Sequence, residues 1–135
     1  MKKSFNSLLH SVGVSKCYTG YPFFVEAVFM AAENPSLLTG IQKNLYLPIA
    51  MHHKVSIYRV EKNLRTIRDI ILRNGGYELM EELSGQRLYR DRPLYPKEVI
   101  KIFADYVTEN HIIPKDMPLS HHLIPWDSKK ENTVP

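Results

Sequence analysis

The sequence predicts an all-α fold, a small helical bundle containing a helix-turn-helix. Three observations carry that expectation. Apolar residues recur at three- and four-residue spacing in several separate stretches, prolines stand at first helical positions, and capping residues or glycines stand at the ends of those stretches.

Ser4 to Val12 places Phe5, Leu8, Leu9 and Val12 at helical spacing, with Gly13 where a C-terminal cap would sit. After Thr19-Gly20, Pro22 suits the start of a second helix, in which Phe24, Val25, Val28, Phe29 and Ala32 repeat until Asn34-Pro35. Asn34 as cap and Pro35 as opening residue predict a third helix with a narrow stripe of Leu37, Leu38 and Ile41. Pro48 lacks an amide donor and clashes with the preceding helical turn, so a separate short helix is expected from about Leu45–Leu47 to His53.

The strongest signal follows. Ser56 is a good N-cap, and Val55 before it pairs with Val60 inside the helix as a hydrophobic staple. Ile57, Val60, Leu64, Ile67 and Ile71 then fall within a stripe of roughly 80° at the helical rotation per residue. Asn74-Gly75-Gly76 ends the run, which gives a helix over about 56–73. Tyr77 to Leu83 suits a short helix, and Ser84 to Tyr95 has the Gly, Arg, Asp and Pro content of a loop or a small two-stranded ribbon. Pro96 opens the last helix, with Val99, Ile100, Phe103, Tyr106 and Val107 facing the core and an end near Asn110. The organisation expected is one helix-turn-helix domain over 1–110 and an extended tail over 111–135, rich in proline and without periodicity.

The chain has 135 residues, 44% hydrophobic and 24% charged, which suits one core, and no apolar run is long enough to span a bilayer. Only Leu8 and Leu9 follow the basic, polar start before His10, so a signal peptide is not expected and the cytoplasm is. The single cysteine, Cys17, makes no internal disulfide and reads as a semi-buried small residue. The formal net charge is +4, and its distribution is more informative than its total. Lys43, Lys54, Arg59, Lys62, Arg65, Arg68 and Arg73 face only Glu61 and Asp69 within 43–73, and the rest of the chain is close to neutral. A local excess of this kind is the footprint of a surface that meets phosphates.

Opposite the apolar stripe of the 56–73 helix stand Tyr58, Lys62, Arg65 and Asp69, flanked by Arg59, Glu61 and Thr66. Arg and Lys can bond guanine O6 and N7, and Glu can accept from cytosine N4. Tyr, Thr or Arg can hold phosphate oxygens. Ser56, Tyr58, Arg59, Glu61, Lys62, Arg65 and Thr66 are thus candidate contacts to double-stranded DNA. Glu61 is the acidic one, suited to base readout or to buttressing Lys62 or Arg65.

The residues also resemble a known family, the C-terminal effector domain of the response regulator that controls entry into endospore formation. The resemblance runs from about Leu9 to Val107. It rests on Gly13-Val14, Gly20-Tyr21, Glu26-Ala27, Leu38, Leu45-Tyr46, Ile49-Ala50, Arg59-Val60-Glu61 with Lys62 and Arg65, Gly75, and Ala104-Asp105. It implies an all-α, DNA-binding transcription regulator whose helix at 56–73 reads an element of the type TGTCGAA. It also implies domains that sit in tandem or pair as a homodimer on DNA. Arg59, Glu61, Lys62 and Arg65 fall on the family's contact positions. Lys62 stands where arginine is expected, Tyr58 where a small serine is, and His53 where an apolar aromatic is, while Leu47-Pro48 shifts a proline by one residue. Only residues 1–8 precede the resembling stretch, so an effector without a phosphorylatable receiver domain is expected.

No Ser, His and Asp order and no glycine-rich phosphate loop points to catalysis, so no enzyme and no cofactor are expected. His52-His53 and His121-His122 read as surface or phosphate-contacting imidazoles, because adjacent helical positions point about 100° apart. Tyr18, Tyr21 and Phe23 read as core residues, and Trp126 as an anchor of the tail to the domain or to a partner. The alternative function is a helical protein-interaction module that keeps the fold without reading DNA. An apolar patch on the 56–73 helix would favour it, and the sequence has a polar set there instead.

Overall fold

Ser4 caps the first helix, its Oγ accepting from the amide of Ser7 at 3.1 Å. The computed structural model describes residues 4–112 and contains six α-helices and, among the described residues, no strand. They are α1 (Phe5–Ser11), α2 (Tyr21–Glu33), α3 (Leu47–His53), α4 (Ile57–Arg73), α5 (Gly76–Ser84) and α6 (Pro96–Glu109). The all-α bundle expected from periodicity is the fold observed. The tail expected over 111–135, with His121-His122 and Trp126, lies outside the described residues from 113 onward, whereas Ile112 still packs on the core.

α2 is the central element, buried almost all round, and it packs most extensively on α6. Phe5 of α1 joins this seam with its ring centroid 5.3 Å from Phe29 and 5.9 Å from Phe103, both edge-on, and Phe24 meets Phe103 edge-on at 5.7 Å. Such pairs add to the burial that already stabilises each large apolar side chain by about 1.5–3 kcal/mol.

Two expected elements differ. The helix opened by Asn34-Pro35 is a single 3-10 turn, Pro35–Leu38, because Thr39 turns extended and Gly40 takes a left-handed φ of 63°. Asn34 still caps it, accepting from Ser36. Upstream of Pro48 the chain does not break. A π-helical turn, Gln42–Tyr46, runs directly into α3, with the amide of Leu47 bonding the carbonyl of Gln42 five residues back. The wider turn accommodates Pro48 within the continuous run.

The segment 85–95 is a loop, tied to the helices at several points. The amide of Leu88 donates to Glu81 at 2.8 Å, Tyr77 Oη to the carbonyl of Arg92 at 3.2 Å, and Arg68 to the carbonyl of Leu94 at 3.1 Å. Arg92 grips Glu98 through both guanidinium nitrogens at 3.2 Å, while Glu98 also accepts from the amide of Tyr95 at the start of α6.

α4 completes the core with Val60, Leu64, Ile67, Ile70 and Ile71, all buried. Ile67 is fully enclosed. A carboxylate there has no partner, so Ile67→Asp is expected to cost several kcal/mol against a total stability of about 5–15 kcal/mol. Loss of the cooperative thermal transition by circular dichroism is the expected result. An unchanged melting temperature would show that the buried face of α4 is wrongly assigned.

Candidate nucleic-acid interface

α3, a three-residue turn and α4 form the helix-turn-helix. The turn is built by hydrogen bonds at both ends. Lys54 takes the left-handed conformation (φ 58°, ψ 45°), and the amide of Val55 reaches back to the carbonyl of Ala50 at 2.9 Å, which closes α3. Ser56 is then extended, and its Oγ accepts from the amide of Arg59 at 3.0 Å to open α4.

A second constraint comes from the loop before α2. A Cβ on Gly20 would lie 2.9 Å from the carbonyl oxygen of Asn63 and 2.9 Å from a side-chain carbon of Ile67, so only glycine lets this loop sit against α4. The approach brings Thr19 beside the exposed face of α4. A shallow concavity results, lined by Thr19, Ser56, Tyr58, Arg59, Lys62, Asn63 and Thr66.

Of the seven residues expected from sequence, five therefore share one surface depression: Ser56, Tyr58, Arg59, Lys62 and Thr66. Glu61 and Arg65 lie on the other flank, toward the π turn. There the Gln42 side-chain amide donates to the Glu61 carboxylate, and both Glu61 and Arg65 act electrostatically on Tyr46 beneath them. Thr66 donates its hydroxyl proton to the carbonyl of Lys62 at 3.1 Å, so it contacts an acceptor only by giving up that bond.

The charges are distributed unevenly. Arg59, Lys62 and Arg65 are exposed and make no hydrogen bond or ion pair through their side chains among the described residues. Elsewhere the pattern differs. Arg68 pairs with Asp69 at 2.8 Å, Arg90 lies 3.5 Å from Glu78 and from Glu81, and Lys101 meets Asp105 at 3.0 Å. The first two turns and the middle of α4 thus carry positive charge that the fold does not neutralise.

The family model described as Sporulation initiation factor Spo0A C terminal matches residues 5–107. The chain belongs to that family. The matched stretch runs from the first residue of α1 to Val107 near the end of α6, so it includes the whole helix-turn-helix. No solved structure matches the chain. The Spo0A C-terminal family is an effector-domain family of a sporulation regulator and not an enzyme class. Among the described residues no helix is long and apolar enough to cross a membrane.

Three readings of single residues are corrected. His52 and His53 are not surface imidazoles, because one ring nitrogen of each, Nδ1 of His52 and Nε2 of His53, turns inward onto the buried carboxylate of Glu26. Cys17 is exposed rather than semi-buried. Tyr21 and Phe23 are in the core, but Tyr18 is 41% exposed. Sequence reasoning also missed Thr19, Asn63 and Gln42, which lie beside the candidate residues. Asn63 lies one turn beyond Arg59 and bonds its carbonyl at 2.9 Å, a local signal. Thr19 and Gln42 arrive by tertiary packing and leave no local signal.

Burial, then the negative field of Glu61, raises the Tyr46 hydroxyl from 10.0 to about 12, with Arg65 opposing. A group whose folded pKa is raised binds its proton more tightly in the native state. Its contribution to stability is therefore complete below pH 10 and is lost as pH rises through about 12. Stability followed by denaturant titration is expected to fall across that window, and Tyr46→Phe to flatten this part of the profile. An unaltered profile in Tyr46→Phe would contradict the assignment.

Proposed function

We propose that this domain is a transcription regulator that binds double-stranded DNA sequence-specifically, with α4 in the major groove. The observation that carries the reading is the set of exposed cations Arg59, Lys62 and Arg65, unpaired among the described residues, on the N-terminal half and middle of a helix whose other face is core. In a helix-turn-helix this is the part of the second helix that reaches base edges.

Arg59, Lys62 and Arg65 supply donors for guanine O6 and N7 or for phosphate oxygens. Glu61, held by Gln42 through one carboxylate oxygen, keeps the other oxygen to accept from a cytosine amine. Ser56 and Tyr58, with Thr66 after exchange of its internal bond, hold the backbone, and Thr19 and Asn63 border the same depression. The family membership supports this reading, and tandem or paired binding on repeated elements goes with it. DNA as the partner makes the cytoplasm the compartment. A protein-docking role would need an apolar patch on this face of α4, where Tyr58 is the single large exposed hydrophobic side chain of α4.

Fluorescence anisotropy with a labelled duplex tests the proposal. About six phosphate contacts make the logarithm of affinity fall with a slope of roughly −5 against log salt. Lys62→Ala, if it removes one such contact, is expected to make the slope shallower by about 0.9. No binding at low salt, or a flat salt titration, would sink the DNA reading.

A further inference from the structure

Glu26 is the one charged side chain buried among the described residues, 1% exposed in the middle of α2. A carboxylate in such a place requires a partner of opposite charge or strong donors, since desolvation alone would expel it. Its two oxygens meet two different imidazoles. His52 Nδ1 lies 2.5 Å from Oε2, and His53 Nε2 lies 2.8 Å from Oε1. Neighbouring positions on a helix diverge by about 100°, so both rings reach one carboxylate only because one uses its near nitrogen and the other its far nitrogen. The Phe23 ring stands edge-on to His53 with centroids 4.9 Å apart and supports that ring from the core side.

We propose that Glu26, His52 and His53 form a binding site for a divalent transition-metal ion, with Zn2+ the best fit. One ligating atom from each residue can be chosen so that all three lie within 4.8 Å of one another. Two imidazoles and one carboxylate are a donor set that zinc accepts with a water in the fourth position, whereas Ca2+ and Mg2+ require oxygen ligands. The charge arrangement favours a cation for two reasons. The carboxylate is buried, and the histidines occupy the last turn of α3, where the aligned backbone dipoles favour positive charge.

The geometry requires a small opening. Ligand atoms around a tetrahedral zinc with bonds near 2.0–2.1 Å lie about 3.4 Å apart, wider than the 2.5 and 2.8 Å of the hydrogen-bonded arrangement. The imidazoles supply that movement, since their side chains are 15% and 22% exposed while Glu26 is enclosed. The same exposure admits the fourth, water ligand. The ion takes the place of the hydrogen bonds between the ring nitrogens and the carboxylate, and each neutral ring then carries its proton on the nitrogen that faces away from the ion. It would fasten the C-terminal end of α3 to α2 directly before the Lys54 turn, and so brace the first half of the helix-turn-helix.

Titration of the full chain with Zn2+ in a calorimeter, and with Co2+ in a spectrophotometer, tests the site. One ion per chain, a higher melting temperature and the strong visible bands of tetrahedral Co2+ are expected. Glu26→Gln should abolish binding but also risks the fold. His52→Asn and His53→Gln change partly exposed rings and keep an amide donor toward Glu26, and each is expected to weaken binding at least tenfold with the helical circular dichroism spectrum intact. A His121→Ala/His122→Ala variant is expected to bind as the parent does. Absence of saturable binding, undiminished affinity in both His52→Asn and His53→Gln, or loss of binding in the His121→Ala/His122→Ala variant would each overturn the proposal.

Discussion

The seating of α4 governs most of what the molecule presents to solvent. Val60, Leu64, Ile67 and Ile71 lie at no more than 1% exposure, which fixes the rotation of the helix about its axis. Gly20 fixes its distance from the loop before α2, because any side chain at that position would collide with the Asn63 carbonyl and Ile67. The left-handed Lys54 and the Ser56 cap fix where the helix begins. With rotation, distance and start all set by packing and backbone hydrogen bonds, the outward direction of Tyr58, Arg59, Lys62 and Thr66 follows without any contact among their own side chains.

That arrangement also explains the unequal electrostatics. Where helices and loop crowd together around α5 and α6, acids lie within reach of bases, and Arg90, Arg92 and Lys101 all meet carboxylates. Such exposed pairs contribute little to stability, typically under about 1 kcal/mol each. Their effect is on the surface field, which they neutralise. The outer face of α4 has Thr19 and Asn63 as neighbours, and Arg59 and Lys62 make no ion pair among the described residues, so their charges remain available. Glu61 is set apart from them by its bond to Gln42, an arrangement that holds a carboxylate on a cationic helix in one orientation.

Much of this was legible in the sequence because it depends on local chemistry. The Asn34 and Ser56 caps, the proline near the start of α6, the glycine stop after α4 and the apolar stripe of α4 all correspond to observed features. What was not legible depends on tertiary closure. The π turn before Pro48 is chosen by packing of Leu45 and Tyr46 into the core, and a proline by itself signals only a break. The helix expected from Pro35 stops after one turn, where Thr39 turns extended and Gly40 takes a left-handed conformation. The inward-facing His52 and His53 answer a charge buried in α2, about 26 residues away in sequence, which no periodicity announces.

The central claim is that the cationic face of α4 reads base sequence rather than merely adhering to phosphate. Selection of bound duplexes from a random pool, at a salt concentration where non-specific binding is weak, measures this directly. The account predicts enrichment of one short element. It also predicts that Glu61→Ala, with its fold intact, relaxes the preference by about 1–3 kcal/mol, the worth of one base-edge contact. A bound pool no different in sequence from the input, with binding itself retained, would contradict it.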